Sequence, residues 1–79
     1  MITINGTIIP EKCTALEGLT YLHVYVKNLS ASTKNLIESL QEETVSFCYF
    51  EDSDMVYEYP KATLLYLGNN TIYVCSSIN

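Results

Sequence analysis

Few residues of this 79-residue chain are equipped for chemistry: one histidine (His23), three cysteines (Cys13, Cys48, Cys75), and nine acids against four lysines with no arginine. A thiolate–imidazole pair is the first arrangement to consider, since Cys48 or Cys75 on a strand beside His23 would set a nucleophile next to its base. That chemistry also needs an oxyanion site and a cleft, and the sequence carries no motif for either. Zinc would need cysteines or histidines at ligand spacing, and here the cysteines are scattered with no C-x-x-C. Asp52-Ser53-Asp54-Met55 has two acids of a calcium loop but neither its glycine nor its terminal glutamate. Gly6, Gly18 and Gly68 make no phosphate-binding run, and without arginine there is no bidentate fork for a nucleotide. The expectation is a protein with no catalytic residues, no metal ligands and no cofactor, and so not an enzyme.

The cysteines instead read as reduced. Their number is odd, against the even set of a disulfide-stapled secreted domain, and Cys48 and Cys75 sit in apolar strand-like runs as small hydrophobes. Cys13 falls in a loop beside Lys12 and is the one thiol that solvent and a neighbouring cation could activate.

What remains is charge and aromatic surface. Seven of the nine acids, Glu38, Glu42, Glu43, Glu51, Asp52, Asp54 and Glu58, fall between Asn35 and Pro60, where there is no basic residue. Glu42 and Glu43 lie at the C-terminal end of the expected helix, where the macrodipole disfavours anions by about 0.3–1 kcal/mol each. A sequence shaped only for stability would carry lysine there. These carboxylates could be a solvated face, or could imitate phosphate charge and occupy a basic groove. The second feature is seven tyrosines and no tryptophan. Tyr21 and Tyr25 share a face with His23, Tyr73 lies opposite Ile72 and Val74, and Tyr57 and Tyr59 share one face of their strand. Tyr21, Tyr25, Tyr57, Tyr59 and Tyr73 are therefore expected on a sheet face that a helix leaves uncovered, a surface suited to a partner or a homodimer. Stacking of single-stranded nucleic acid also uses aromatics, but it needs a basic groove that four lysines cannot provide.

The elements that must position these residues follow from pattern. Asn5-Gly6 between Ile2-Thr3-Ile4 and Thr7-Ile8-Ile9 is a strong hairpin signal, with a single strand bent at a glycine bulge as the competitor. Residues 11–19 read as a loop. Tyr21–Val26 alternates as a half-buried strand, with Leu22, Val24 and Val26 on the core side. Ser30–Glu43 is the one helix, capped by Ser30 or Ser32, with Leu36, Ile37 and Leu40 as its apolar stripe. Three strands follow, Val45–Phe50, Met55–Tyr59 and Ala62–Leu67, with Glu51–Asp54 as a four-residue hairpin loop. Pro60 marks a bulge, an edge or a break. Thr71–Ser76 is the last strand. The fold class is α+β over residues 1–79: a single small domain, a mainly antiparallel sheet of about five strands, and one short helix on one face. The element order is β-β-α-β-β-β, with a β-grasp-like arrangement as the alternative.

With 48% hydrophobic and 16% charged residues, disorder is excluded. No apolar run reaches the ~18 residues of a membrane span, and the N-terminus lacks the basic start and long apolar stretch of a signal peptide, so a cytoplasmic protein with no membrane partner is expected. Phe, Tyr, Met, Ile, Asn and Lys are plentiful while Gly, Ala, Pro and Arg are scarce, a codon bias of AT-rich genomes such as low-GC bacteria and their phages. In size and charge the chain resembles the small acidic phage proteins that block host nucleases. That resemblance implies an anti-defence inhibitor of phage or mobile-element origin, a nucleic-acid mimic filling the basic surface of a host protein without touching nucleic acid itself. The alternative is a small structural or oligomerising subunit of a virion or tail, assembled through the tyrosine-rich face.

Overall fold

In the computed structural model, which describes residues 1–76, the Asn5-Gly6 signal makes a true hairpin. Ile2–Ile4 (β1) and Thr7–Ile9 (β2) pair around these two residues, whose φ values of 52° and 81° belong to a two-residue I′ turn. The chain continues through Cys13–Glu17 (β3), Leu22–Val26 (β4), Ala31–Ser39 (α1), Val45–Glu51 (β5), Asp54–Tyr66 (β6) and Thr71–Ser76 (β7). The strands form one seven-stranded sheet in the order β2-β1-β5-β6-β7-β4-β3, antiparallel at every pairing. It is a small domain with one helix and a large antiparallel sheet, wider than the five strands expected. The β-grasp alternative does not form, because that arrangement joins its first and last strands in parallel.

Two differences separate this sheet from the expected one, and only the first adds a strand. Residues 13–17 are an edge strand rather than a loop: Cys13 and Ala15 are half-buried against the core while Thr14 and Leu16 face out. The apolar side of that alternation is made of small residues, so its hydrophobic signal is weak. In addition, Met55–Tyr59 and the expected Ala62–Leu67 run, which ends at Tyr66, belong to one 13-residue strand. Pro60 interrupts pairing without ending the strand: Val45 and Phe47 face Ala62 and Tyr59, so β6 carries an extra residue there, and it carries another between Met55 and Tyr57. Both are bulges, which bend a strand and raise its twist. The first half of β6 consequently pairs with β5 and the second half with β7.

The sheet is strongly curled, and connectivity alone requires it. Its two edge strands, β2 and β3, are joined by only Pro10, Glu11 and Lys12. Four chain steps span at most about 14 Å, whereas seven flat strands would put the edges about 29 Å apart. The side chain of Tyr49 confirms the curl. Its hydroxyl lies 3.5 Å from the Cys13 carbonyl on the far edge strand and 3.4 Å from Glu51 Oε1, able to donate to either.

The concave side holds the core: Ile2, Ile4, Ile9, Leu22, Val24, Val26, Val45, Phe47, Tyr49, Ala62, Leu64, Ile72 and Val74, with Ile37 inserted from α1. Leu36 and Leu40 pack beside Ile37 as the helical stripe predicts. Ser30 caps the helix, its hydroxyl accepting from Thr33 N–H at 3.3 Å. The helix stops at Ser39 rather than Glu43: its C-cap Leu40 leaves helical angles (φ −101°, ψ 2°), and Glu42 then turns into the left-handed region at φ 71°. Glycine usually takes that position, so the stop has no signal in the sequence. Among the described residues, no helix is long and apolar enough to cross a membrane.

Candidate functional site

The seven acids between Glu38 and Glu58 are all exposed but do not form one patch. Glu51 and Asp54 face each other across the β5–β6 ladder, and Asp52-Ser53 is the two-residue turn between them, where a four-residue loop is expected from the sequence. Asp52 takes positive φ (54°), a conformation that Asp and Asn tolerate better than most residues. Glu58 lies further along β6, opposite Cys48. Glu42 and Glu43 follow α1 and precede Val45, at the other end of β5. Six strand steps separate the two groups, about 20 Å. Glu38 is on the helix, with Lys34, Tyr66, Leu67 and Gly68 around the same shallow hollow. Like charges set directly opposite across a ladder are destabilising, so the Glu51–Asp54 pair is placed against local stability. A cleft of about 370 Å³ beside the hairpin tip is lined by Met1, Lys12, Cys13, Tyr49, Phe50, Glu51 and Asp52.

The tyrosines divide between the two sides of the sheet. Tyr57 and Tyr59, expected on the uncovered face, lie instead on the concave side: Tyr59 stacks on Phe47 (centroids 6.1 Å, 29°) and Tyr57 leans on Tyr49 (6.0 Å). Burial pushes the Tyr59 phenol above its usual range, with Glu17 adding to the effect. The two bulges of β6 change which residues face inward, so alternation counted from the sequence cannot place them. Tyr21, Tyr25 and Tyr73 are on the convex side, as expected. There Leu16, His23, Tyr73 and Leu65 lie in register across four strands. Thr14, Tyr25 and Thr71 make the neighbouring row. His23 and Tyr21 both meet Tyr73 edge-on, at 4.9 Å and 6.0 Å. Leu16 (71%), Leu65 (36%), Tyr25 (48%) and, just past β6, Leu67 (73%) are open to solvent. None of these residues is Lys, Asp or Glu, although the chain has thirteen of them.

Gly18 fixes the corner of this convex face. A Cβ built there would sit 2.8 Å from the Tyr21 carbonyl and 3.1 Å from His23 Nε2. Gly18→Ala is expected to cost about 1–3 kcal/mol by overpacking and to shift the His23 ring signals in an NMR spectrum. An unchanged melting midpoint and unchanged His23 resonances would show that the corner yields freely.

No family model, curated protein or solved structure matches this chain.

Neither cysteine weighed from the sequence is the cross-strand partner of His23, although Cys75 lies on the same face, two residues beyond Tyr73, and pairs with Thr63. Cys48 is paired with Thr3 and Glu58 in the other half of the sheet, and His23 faces Tyr73 and Leu16 rather than a cysteine. All three cysteines are free and half-buried. Burial pushes the Cys13 thiol above its usual range, with the N-terminal ammonium opposing and Glu11 reinforcing the shift. Cys13 is therefore less nucleophilic than an open thiol at neutral pH. Among the described residues, no group of three or more His, Cys, Asp or Glu is arranged to hold a metal ion.

One residue was not singled out by its sequence context. Glu11 Oε2 accepts from the Ser30 N–H and Ser30 hydroxyl, both at 3.0 Å, and Oε1 accepts from the Thr33 hydroxyl at 3.0 Å. A carboxylate from the β2–β3 link thus closes the N-terminus of α1, where the helix dipole favours an anion. The partners are 19 and 22 residues away, and no local pattern in the sequence announces them.

Proposed function

We propose that this chain is a small acidic binding protein of phage or mobile-element origin. It acts in the cytoplasm, inhibiting a nucleic-acid-handling host defence protein by filling its basic surface as a nucleic-acid mimic. The observation that carries this reading is the β5–β6 hairpin: Glu51, Asp52 and Asp54 at its tip and Glu58 on its flank, all exposed, with no basic residue between them in the sequence, although Lys12 lines the cleft beside the tip. Carboxylates held on a hairpin can present charge at a fixed spacing and steer association with a cationic groove. Glu42 and Glu43, about 20 Å away along β5, are a second point of contact; at ~3.4 Å per nucleotide step of one duplex strand, that distance is about six phosphates.

The two groups can be neutralised separately. The immobilised chain is used to capture proteins from a lysate of a low-GC bacterium, and the purified captured protein is titrated with the wild type and two variants. Glu51→Gln/Asp52→Asn/Asp54→Asn is expected to weaken binding at least about tenfold and to flatten its salt dependence. Glu42→Gln/Glu43→Gln is expected to add an independent, smaller loss, since sites this far apart contribute additively. If both variants bind as the wild type does, or the captured protein has no nucleic-acid-binding surface, the mimic reading is wrong.

The alternative, a structural or oligomerising subunit of a virion or tail, is favoured by a different observation: the Leu, His and Tyr row on the convex face.

A further inference from the structure

We infer that the convex face of the β3-β4-β7-β6 half is a self-association surface, occupied in solution by a second copy of this chain packed face to face. The inference is separate from the hairpin reading, because the acids of the hairpin lie on the other half of the sheet.

Three physical features point to a second copy. The first is charge. Each chain carries a net −5, so two copies repel at most orientations. The rows of Leu16, His23, Tyr73 and Leu65 and of Thr14, Tyr25 and Thr71 contain no lysine and no carboxylate, which makes this face an approach of low repulsion. The second is self-complementarity. The polar groups here are tyrosine and threonine hydroxyls and one imidazole, each able both to donate and to accept. A two-fold axis brings a surface against itself, and such groups can satisfy their own copies where lysines or carboxylates could not.

The third is area. Four strands at about 4.8 Å and two outward rows at about 6.8 Å cover roughly 19 by 14 Å, or about 270 Å² of flat footprint. Specific interfaces bury about 800 Å² per partner, and weak, reversible ones under about 600 Å². The face therefore has the size of a weak dimer contact. Its composition is that of an interface centre, with tyrosine present and charge depleted.

The test is sedimentation equilibrium of the full chain from about 5 to 500 µM, a range bracketing micromolar affinity. The expected result is a mass that rises from the 8.9 kDa monomer toward twice that value. Added salt leaves the association unchanged or tightens it, opposite to the salt response of a charge-driven complex. Leu16→Glu/Tyr25→Glu is expected to raise the dissociation constant at least about 30-fold, as loss of a hot-spot contact does. Ile8→Glu, an exposed residue on the opposite edge strand, is expected to change it little. Independently of any variant's folding, dilution of the wild type should move amide resonances of residues 14–16, 23–25, 63–67 and 71–75 and no others. A monomer at every concentration, a dimer unaffected by Leu16→Glu/Tyr25→Glu, or dilution shifts confined to residues 51–54 would each overturn the inference. So would a heterologous partner found to hold this face while the isolated chain stays monomeric.

Discussion

Phe47→Ala is expected to leave the chain largely unfolded at 25 °C. Phe47 is fully buried, sits between Ile4 of β1 and Tyr59 of β6, and stacks on the Tyr59 ring. Removing a buried phenylalanine ring typically costs about 3–5 kcal/mol, from lost transfer energy and from the cavity left behind. A 79-residue domain has about 4–12 kcal/mol in all, and small domains sit toward the low end. Phe47→Leu fills most of the space and should cost under about 1.5 kcal/mol. Urea melts followed by circular dichroism separate the two. A Phe47→Ala protein with a near-wild-type midpoint would mean that the curled sheet has no single packed interior.

The second large effect is expected at Glu11. Glu11→Ala removes the acceptor for Ser30 N–H, Ser30 hydroxyl and Thr33 hydroxyl together and should cost about 2 kcal/mol, more than an ordinary helix cap. The same site makes stability depend on acid. Burial alone would raise the Glu11 pKa, but the bonds from Ser30 and Thr33 outweigh it and hold the carboxyl below its ordinary value. A group whose folded pKa is depressed contributes its full stabilisation above the unfolded pKa, about 4.3. That contribution is lost as pH falls through the folded value. The wild type should lose stability below about pH 4 more steeply than Glu11→Gln, which keeps an acceptor oxygen but cannot be neutralised. Parallel pH profiles for the two proteins would show that Glu11 does not anchor the helix.

Much of the fold was legible because local chemistry dictated it. Asn5-Gly6 forced a hairpin, Ser30 capped the helix, and the Leu22, Val24 and Val26 alternation faced the core. Three misreadings have physical causes. Cys13–Glu17 hides its inward side behind the small side chains of Cys13 and Ala15, so a period-2 pattern was present without a hydrophobic signal. Of the bulge, edge or break read at Pro60 the bulge is what forms, so two runs expected as separate strands are one. The helix ended at Leu40, and the left-handed turn that follows falls on Glu42 with no glycine to mark it. The candidate sites were legible in part. The types of residue were readable, and Tyr21, Tyr25 and Tyr73 were placed on the convex face. The split of the acids about 20 Å apart along β5 follows from the length of a strand, and the inward turn of Tyr57 and Tyr59 follows from two bulges. The Glu11 clamp is a contact between distant parts of the chain, which composition and spacing cannot show.

The bent strand β6 bears on how the protein comes apart. Its first half is laddered to β5 and its second half to β7, so the acidic hairpin and the convex face share one backbone segment. Neither half can open fully without unzipping that segment, which binds their loss of structure into one cooperative event. A lesion at either surface that loosens β6 is therefore felt at the other, and the two faces persist or melt together.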